Sequence, residues 1–306
     1  LPPWGSSTCS CGGSLDDIKQ MGIPRTMDLP ILDNHVHLRP EGENVEAARR
    51  FARAGGTALN ITCYPKWEHL GKPEYYRMVF EAAIGIARRV ASEVGILTLV
   101  TVGPYPVDLV RLLSMGWRPE RAREYMIEGA LLAAELCQEG VAHAIGEVGR
   151  PHFQVKKEVW DLSNEILEEI MSIAAEHGCP VVLHTESATE DTFAELASMA
   201  SRAGLRPEMV VKHYSPPIVE VEKTRGIWPS VIASRRNARE AARRGRRFLL
   251  ETDFLDDPSR PNAVLPIDSV PRRVKMLLQE GLLSEEDVYV VMKENPKRIY
   301  GVEVPP

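Results

Sequence analysis

The sequence predicts an α/β protein, a single (β/α)8 TIM barrel with a short N-terminal extension, on three observations. Short apolar runs with strand character alternate with longer amphipathic stretches along most of the 306 residues. The strand-like runs number eight, the count at which a parallel sheet with helical crossovers closes on itself. None is followed by an Asn-Gly hairpin turn, which disfavours antiparallel pairing. The alternative, an open doubly wound sheet, would carry a glycine-rich phosphate turn after its first strand, and none stands there.

Residues 1–28, rich in Gly, Ser and Pro, read as an extension or loose lid, and residues 29–306 as the barrel. The strand runs begin at Leu29 (LPILDNHVH), Thr57 (TALNITCY), Ile96 (ILTLVTVG), Val141 (VAHAIGEVG), Pro180 (PVVLHTE), Met209 (MVVKHYS), Gly226 (GIWPSVIA) and Phe248 (FLLETD). Helical character marks Val45–Ala54, Glu74–Val94, Pro119–Glu139, Glu158–His177, Thr189–Ala203, Arg235–Arg244 and Pro271–Glu280. Two segments read as additions at the mouth, Pro104–Arg118 and Leu255–Val270. Pro258, Pro261 and Pro266 stiffen the second.

Composition narrows the class. The chain is 44% hydrophobic and 26% charged, as expected of a soluble globular domain with a sizeable core. A net charge of −6 gives no overall attraction for nucleic acid, so a polyanion must be gripped locally. No run approaches the roughly 18 apolar residues of a membrane span, and no secretory signal is visible. The cysteines, Cys9, Cys11, Cys63, Cys137 and Cys179, are odd in number and scattered, which speaks against a disulfide framework and for a cytoplasmic setting. Cys9 and Cys11 lack the second pair that a structural metal site needs and read as part of a flexible tail.

The polar residues that look out of place fall at one kind of position, the C-terminal end of a strand. His35 and His37 end the first, Glu147 the fourth, His184 the fifth, His213 the sixth and Asp253 the eighth. In a barrel these ends converge on the rim that carries the active site. Residues two apart on a strand share a face, so His35 and His37 can reach one ion. Imidazole and carboxylate donors suit divalent metals, with Zn²⁺ first and Mn²⁺, Mg²⁺, Co²⁺ or Fe²⁺ as alternatives. The set exceeds what one open ion needs, and a carboxylate shared between two ions fits the count. His69, His143, His152 and His177 lack this placement. His143 reads as mid-strand and His177 as a helix end facing the dipole, both structural.

These residues sit in pieces that resemble the TatD-related hydrolases of the amidohydrolase superfamily, in a divergent, archaeal-type branch. The pieces are Asp33-Asn34-His35-Val36-His37, Ile145-Gly146-Glu147-Val148-Gly149, His184-Thr185-Glu186, His213-Tyr214-Ser215, Glu251-Thr252-Asp253 and the closing Asn295-Pro296-Lys297-Arg298-Ile299-Tyr300. The resemblance implies two ions, one held by His35, His37 and Asp253 and the other by His184 and His213, with Glu147 bridging. It also implies Asp253 as general base and Asp33 as an orienting partner of a ligand. Three stretches depart from the family pattern. Arg150-Pro151-His152-Phe153 replaces the usual Leu-Asp-Tyr, Glu186 replaces an Arg, and Phe254-Leu255-Asp256-Asp257 replaces Ser-Pro-Tyr-Leu.

The family's best-known activity, removal of nucleotides from DNA ends, points to a nucleic acid end or a small phosphoester as substrate. Arg150 and Lys212, with Arg39 and Lys66 and in second place Arg235, Arg236, Arg272 and Arg273, are expected to hold phosphate, and Tyr64 and Tyr214, with Trp67 and Phe153, to stack on a base. The altered Arg150 and Glu186 motivate an alternative, a small-molecule amidohydrolase, lactonase or phosphoesterase. A non-catalytic metal-binding scaffold is the third possibility. Arg243, Arg244, Arg246 and Arg247 lie toward the opposite face and are expected to form a solvated or interface surface.

Overall fold

The computed structural model describes residues 29–261 and 263–306; the expected extension and the Cys9/Cys11 pair lie outside them. Strands β1 (Leu32–His37), β2 (Ala58–Thr62), β3 (Leu97–Val102), β4 (Ala144–Gly149), β5 (Val181–His184), β6 (Val210–Ser215), β7 (Trp228–Ile232) and β8 (Leu249–Glu251) each pair in parallel with the next. A last short strand, β9 (Phe254–Leu255), follows β8 after two residues and pairs with β1, Val36 against Phe254 and His37 against Leu255. The eighth strand of the barrel is therefore split. Its first half closes on β7, its second half on β1, and the sheet becomes a cylinder. The predicted (β/α)8 barrel is the observed fold.

Helices α1 (Val45–Arg53), α2 (Tyr75–Val94), α4 (Pro119–Gln138), α5 (Lys157–His177), α6 (Glu190–Arg202), α8 (Arg235–Arg244) and α9 (Ser269–Gln279) fall where apolar periodicity placed them. Between β3 and α4 the expected mouth addition contains α3 (Pro106–Ser114), begun by a proline in its first turn. The β6–β7 crossover holds only one turn, α7 (Val221–Thr224). His143 precedes β4 rather than lying within it, and its Nδ1 accepts from the Val100 amide at 3.1 Å. His177 Nδ1 lies 2.8 Å from the Ile173 carbonyl at the end of α5.

The barrel interior is layered. One apolar residue from each of β1–β8 forms the lower layer: Leu32, Ala58, Leu99, Ala144, Val182, Val211, Trp228 and Leu249. Ile299 and Tyr300, on α10 (Asn295–Tyr300), and Val304 plug that layer from below. Above it the residues turn polar and hydrogen-bond to one another, as buried polar groups must. Tyr300 Oη donates to Asn34 Oδ1 at 3.0 Å, and Asn34 Nδ2 donates to Ser230 Oγ at 3.0 Å. Thr101 donates to Asn60 at 3.0 Å.

In the arginine cluster Arg243 and Arg244 are exposed, as expected, while Arg246 and Arg247 differ. Arg246 is half-buried, paired with Asp287 at 2.7 Å and donating to the Leu282 carbonyl. Arg247 donates to the Gly226 and Ile227 carbonyls and lies 3.9 Å over the Trp228 ring. Arg247 ties the loops entering β7 and β8 together, and Arg246 ties the second of these to the segment after α9. The run of like charge in the sequence did not reveal that carbonyls converge on it.

Candidate metal centre

The site is built at three breaks in strand pairing. The β1–β2 register shifts between Asp33 and Val36, β4–β5 between Gly146 and Val148, and β6–β7 between Lys212 and Ser215. Those shifts bracket His35, Glu147 and His213, and such irregularities re-aim side chains at barrel rims. Tyr214 and Asp253 take left-handed backbone angles, φ 51° and 48°, a strained choice for non-glycine residues that gathers at functional sites. Gly149 permits a further close approach: a Cβ there would sit 2.1 Å from the His184 carbonyl oxygen, so β4 and β5 can meet at this height only without a side chain.

The expected donors meet in one place. His35 Nε2 and His37 Nε2 face each other at 3.3 Å, and Asp253 Oδ1 lies 3.6 Å from His37 Nε2 and 4.0 Å from His35 Nε2. Glu147 stands between this trio and the other two imidazoles. Its Oε1 is 2.9 Å from His184 Nδ1, 3.1 Å from His213 Nε2 and 3.5 Å from His35 Nε2, while its Oε2 is 3.5 Å from His37 Nε2. His35, His37 and Asp253, and separately Glu147, His184 and His213, are close enough to share an ion.

The donor chemistry fits divalent cations. Burial holds the imidazoles of His35, His37 and His184 below the ordinary histidine range, so their ring lone pairs are free. Outer partners fix their orientation: the Thr62 carbonyl lies 3.3 Å from His37 Nδ1, and Thr62 Oγ1 lies 3.4 Å from His35 Nδ1. Burial works to raise the Glu147 carboxyl, but His213, His35 and His184 outweigh it and hold it well below its usual range. Burial likewise opposes a charged His213, yet Glu251 and Glu147 push it up to about 9. The facing carboxylates thus draw positive charge to His213, and a bound ion would supply that charge in place of a proton, leaving the ring a lone pair with which to ligate. Burial, with Glu147 adding to it, raises Asp253 to about 8.

Asp33 is fully buried beneath the trio. Its Oδ1 accepts from the Thr252 amide at 2.9 Å and its Oδ2 from the Thr252 hydroxyl at 2.6 Å. It therefore fastens the segment that carries Asp253 to the strand that carries His35.

Three further residues belong to the site. Glu251, fully buried, has Oε1 2.8 Å from His213 Nδ1, a contact too bent for a regular hydrogen bond; the same oxygen accepts from the Tyr214 amide at 2.8 Å. Its Oε2 accepts a very short bond from Ser230. His152, set aside in the sequence, places Nδ1 2.7 Å from His184 Nε2, and the Tyr105 hydroxyl reaches the same nitrogen at 3.3 Å. A pattern based on strand ends misses both, because they stand on loops.

A cavity of about 230 Å³ opens onto the donors. Tyr64, Trp67 and Tyr105 line one side and Leu255, Arg260 and Val264, from the proline-rich loop, another. Tyr64 packs edge-on to His37 and Tyr214 to His213. Two expected phosphate ligands are placed otherwise. Arg150 is 1% exposed, bound by Glu186 and Glu195, by Asn164 and against the Trp160 ring. Lys212 is also 1% exposed and donates to the His213 carbonyl. Neither presents its charge at the mouth, since each finds acceptors within the protein.

The profile of the family described as TatD related DNase matches residues 32–301. An uncharacterized protein of Methanocaldococcus jannaschii, MJ1127, is 36% identical over 279 residues, 90% of this chain and 97% of its own. Among solved structures, the TatD homologue YJJV of Escherichia coli superposes with a TM-score of 0.59 at 20% identity, over 90% of this chain and 100% of its own. The phosphotriesterase homology protein of Escherichia coli, with phosphate in its active site, gives 0.59 at 13% identity, over 89% of this chain and 99% of its own. These two superpositions speak for the barrel alone, and the profile match over nearly the whole described chain assigns the protein to the family of TatD related DNases.

Proposed function

We propose that the chain is a dinuclear divalent-metal-dependent hydrolase of phosphodiester bonds that removes nucleotides from DNA ends. The observation that carries this reading is the place of Glu147, one carboxylate within 3.5 Å of four imidazoles drawn from β1, β5 and β6. A lone ion would leave part of that set idle, and a carboxylate shared by two ions employs all of it. His35, His37 and Asp253 would hold one ion and His184 and His213 the other. Zn²⁺ is favoured by the nitrogen-rich set, with Mn²⁺, Mg²⁺, Co²⁺ or Fe²⁺ as alternatives.

Bound ions would supply Lewis-acid polarisation of the phosphoryl oxygen and a nucleophilic water at neutral pH. The protein's residues do the rest. Asp253 stands where the cavity meets the donors, and with an adjacent ion to keep it ionised its carboxylate would take the proton from the attacking water. Glu147 balances the positive charge between the two halves. Tyr64, Trp67 and Tyr105 line the cavity, where a terminal base could stack against them and exclude water.

Metal-loaded protein incubated with single-stranded DNA should release mononucleotides, and D253N should lower kcat by a hundredfold or more even at metal concentrations that saturate the variant. Intact DNA at every metal and salt concentration rules out the nuclease. A second reading, hydrolysis of a small ester or lactone, is favoured by the inward turn of Arg150 and by Glu186 at its side. A panel of esters and lactones turned over faster than DNA would select it.

A further inference from the structure

We infer that Arg260 selects the substrate by binding an anionic group, a phosphate or a carboxylate, carried next to the bond that is broken. The inference rests on the hydrolase reading and deepens it.

Of the cations expected at this mouth, Arg235, Arg236, Arg272 and Arg273 are not among the residues that line the cavity, and the others are engaged. Arg150 and Lys212 are buried among their own acceptors. Lys66 pairs with Glu41 at 2.7 Å, and Arg39 lies 5.0 Å over the Tyr64 ring with Nη1 3.3 Å from Asp257. Arg111 covers the Trp67 ring at 3.8 Å. Arg260 instead lines the cavity that opens onto His37, Glu147, His184, His213 and Asp253. Its side chain is 55% exposed, so the charge is available to a ligand.

The guanidinium is also held in place. Nε donates to Asp257 Oδ2 at 3.0 Å and Nη2 to the Tyr64 hydroxyl at 3.1 Å. Asp257 is itself fixed by the Ser259 amide and hydroxyl at 3.0 and 2.7 Å. Arginine has five N–H donors in a planar fork. Two are engaged, and Nη1 has no partner among the described residues. A fork with one edge anchored and the other free suits bidentate capture of a planar carboxylate or of two phosphate oxygens. The residue sits on the proline-stiffened loop after the split strand, so little order is lost when it binds.

The test compares metal-loaded wild type, R260Q and R260K on paired p-nitrophenyl esters, one neutral and one carrying a phosphate or carboxylate. The ratio of kcat/KM for the anionic over the neutral ester should fall at least tenfold in R260Q, through KM, and less in R260K. Y64F, which releases Nη2, should move it the same way by a smaller factor. An unchanged ratio overturns the inference. Inorganic phosphate and acetate titrated calorimetrically into the same metal-loaded proteins separate the two sources. A tenfold loss confined to phosphate assigns a phosphate, one confined to acetate assigns a carboxylate, and loss of neither overturns the inference. If no ester is hydrolysed, the hydrolase reading fails while the titration still reads Arg260.

Discussion

At the scale of the residue, Glu251 has the most to explain, since a fully buried carboxylate needs partners. It has them in a chain: Tyr300 donates to Asn34, Asn34 to Ser230 and Ser230 to Glu251, which ends against His213. Outer partners of this kind set ring orientation and basicity. E251Q should therefore weaken divalent-metal affinity by about 10- to 100-fold, read by competition with a chromophoric chelator; an unchanged affinity would remove Glu251 from the site. The rim histidines and Asp253 were legible in the sequence because few other roles place such groups at successive strand ends. Glu251 was not, since its partner stands two strands away in the barrel and strand separation is invisible in one dimension. Arg150 was misplaced for a related reason: Glu186 and Glu195 lie 36 and 45 positions further on, and only the fold brings them to its guanidinium.

At the scale of the element, Arg150 joins the loop after β4 to that after β5 and to α5 and α6. Its amide also donates to the His184 carbonyl at 3.1 Å. Removing one partner of a buried ion pair costs several kcal/mol, less where the carboxylates are partly hydrated, as Glu186 and Glu195 are. R150A should lose about 2–4 kcal/mol of stability, read as a lowered urea midpoint. Helix α3 contributes differently. Asp108, fully buried in its first turn, accepts from Trp67 Nε1 at 2.8 Å and from the Tyr76 hydroxyl at 3.3 Å, so it anchors a wall of the cavity. Burial raises its carboxyl to about 7 against the ordinary 3.8. Between those values the unfolded chain has released the proton and the folded protein has kept it. Asp108 thus makes stability fall as pH rises from about 4 to 7, by up to about 1.4 kcal/mol per pH unit, and contributes no slope outside that window. Urea titrations across this range should show D108N lacking that slope. The amphipathic helices were legible from their periodicity. Helix α3 was read only as an insertion, because it is short and flanked by prolines.

At the scale of the whole molecule, the described barrel has no helix long and apolar enough to cross a membrane. Its lower layer is finished by Ile299, Tyr300 and Val304, so this segment is part of the core. Y300A should cost about 3–5 kcal/mol, the usual loss for a large buried aromatic, and should also disturb metal affinity through Asn34, which an isolated packing defect would not do. Metal itself acts on the entire fold. At free metal a hundredfold above its dissociation constant each site should add about 2.7 kcal/mol, seen as a raised urea midpoint that a chelator abolishes. The eightfold alternation was legible, whereas the split of the last strand was not: FLLETD reads as one run, and the turn at Asp253 answers to the geometry of its neighbours.

That split gives Asp253 a double duty. It stands at the seam where Leu249–Glu251 ends against β7 and Phe254–Leu255 zips onto β1. The proton acceptor of the proposed reaction is thus set in place by the same step that turns an open ribbon into a closed ring. An arrangement in which β9 were not paired with β1 could still gather several imidazoles but would leave the proposed base out of place.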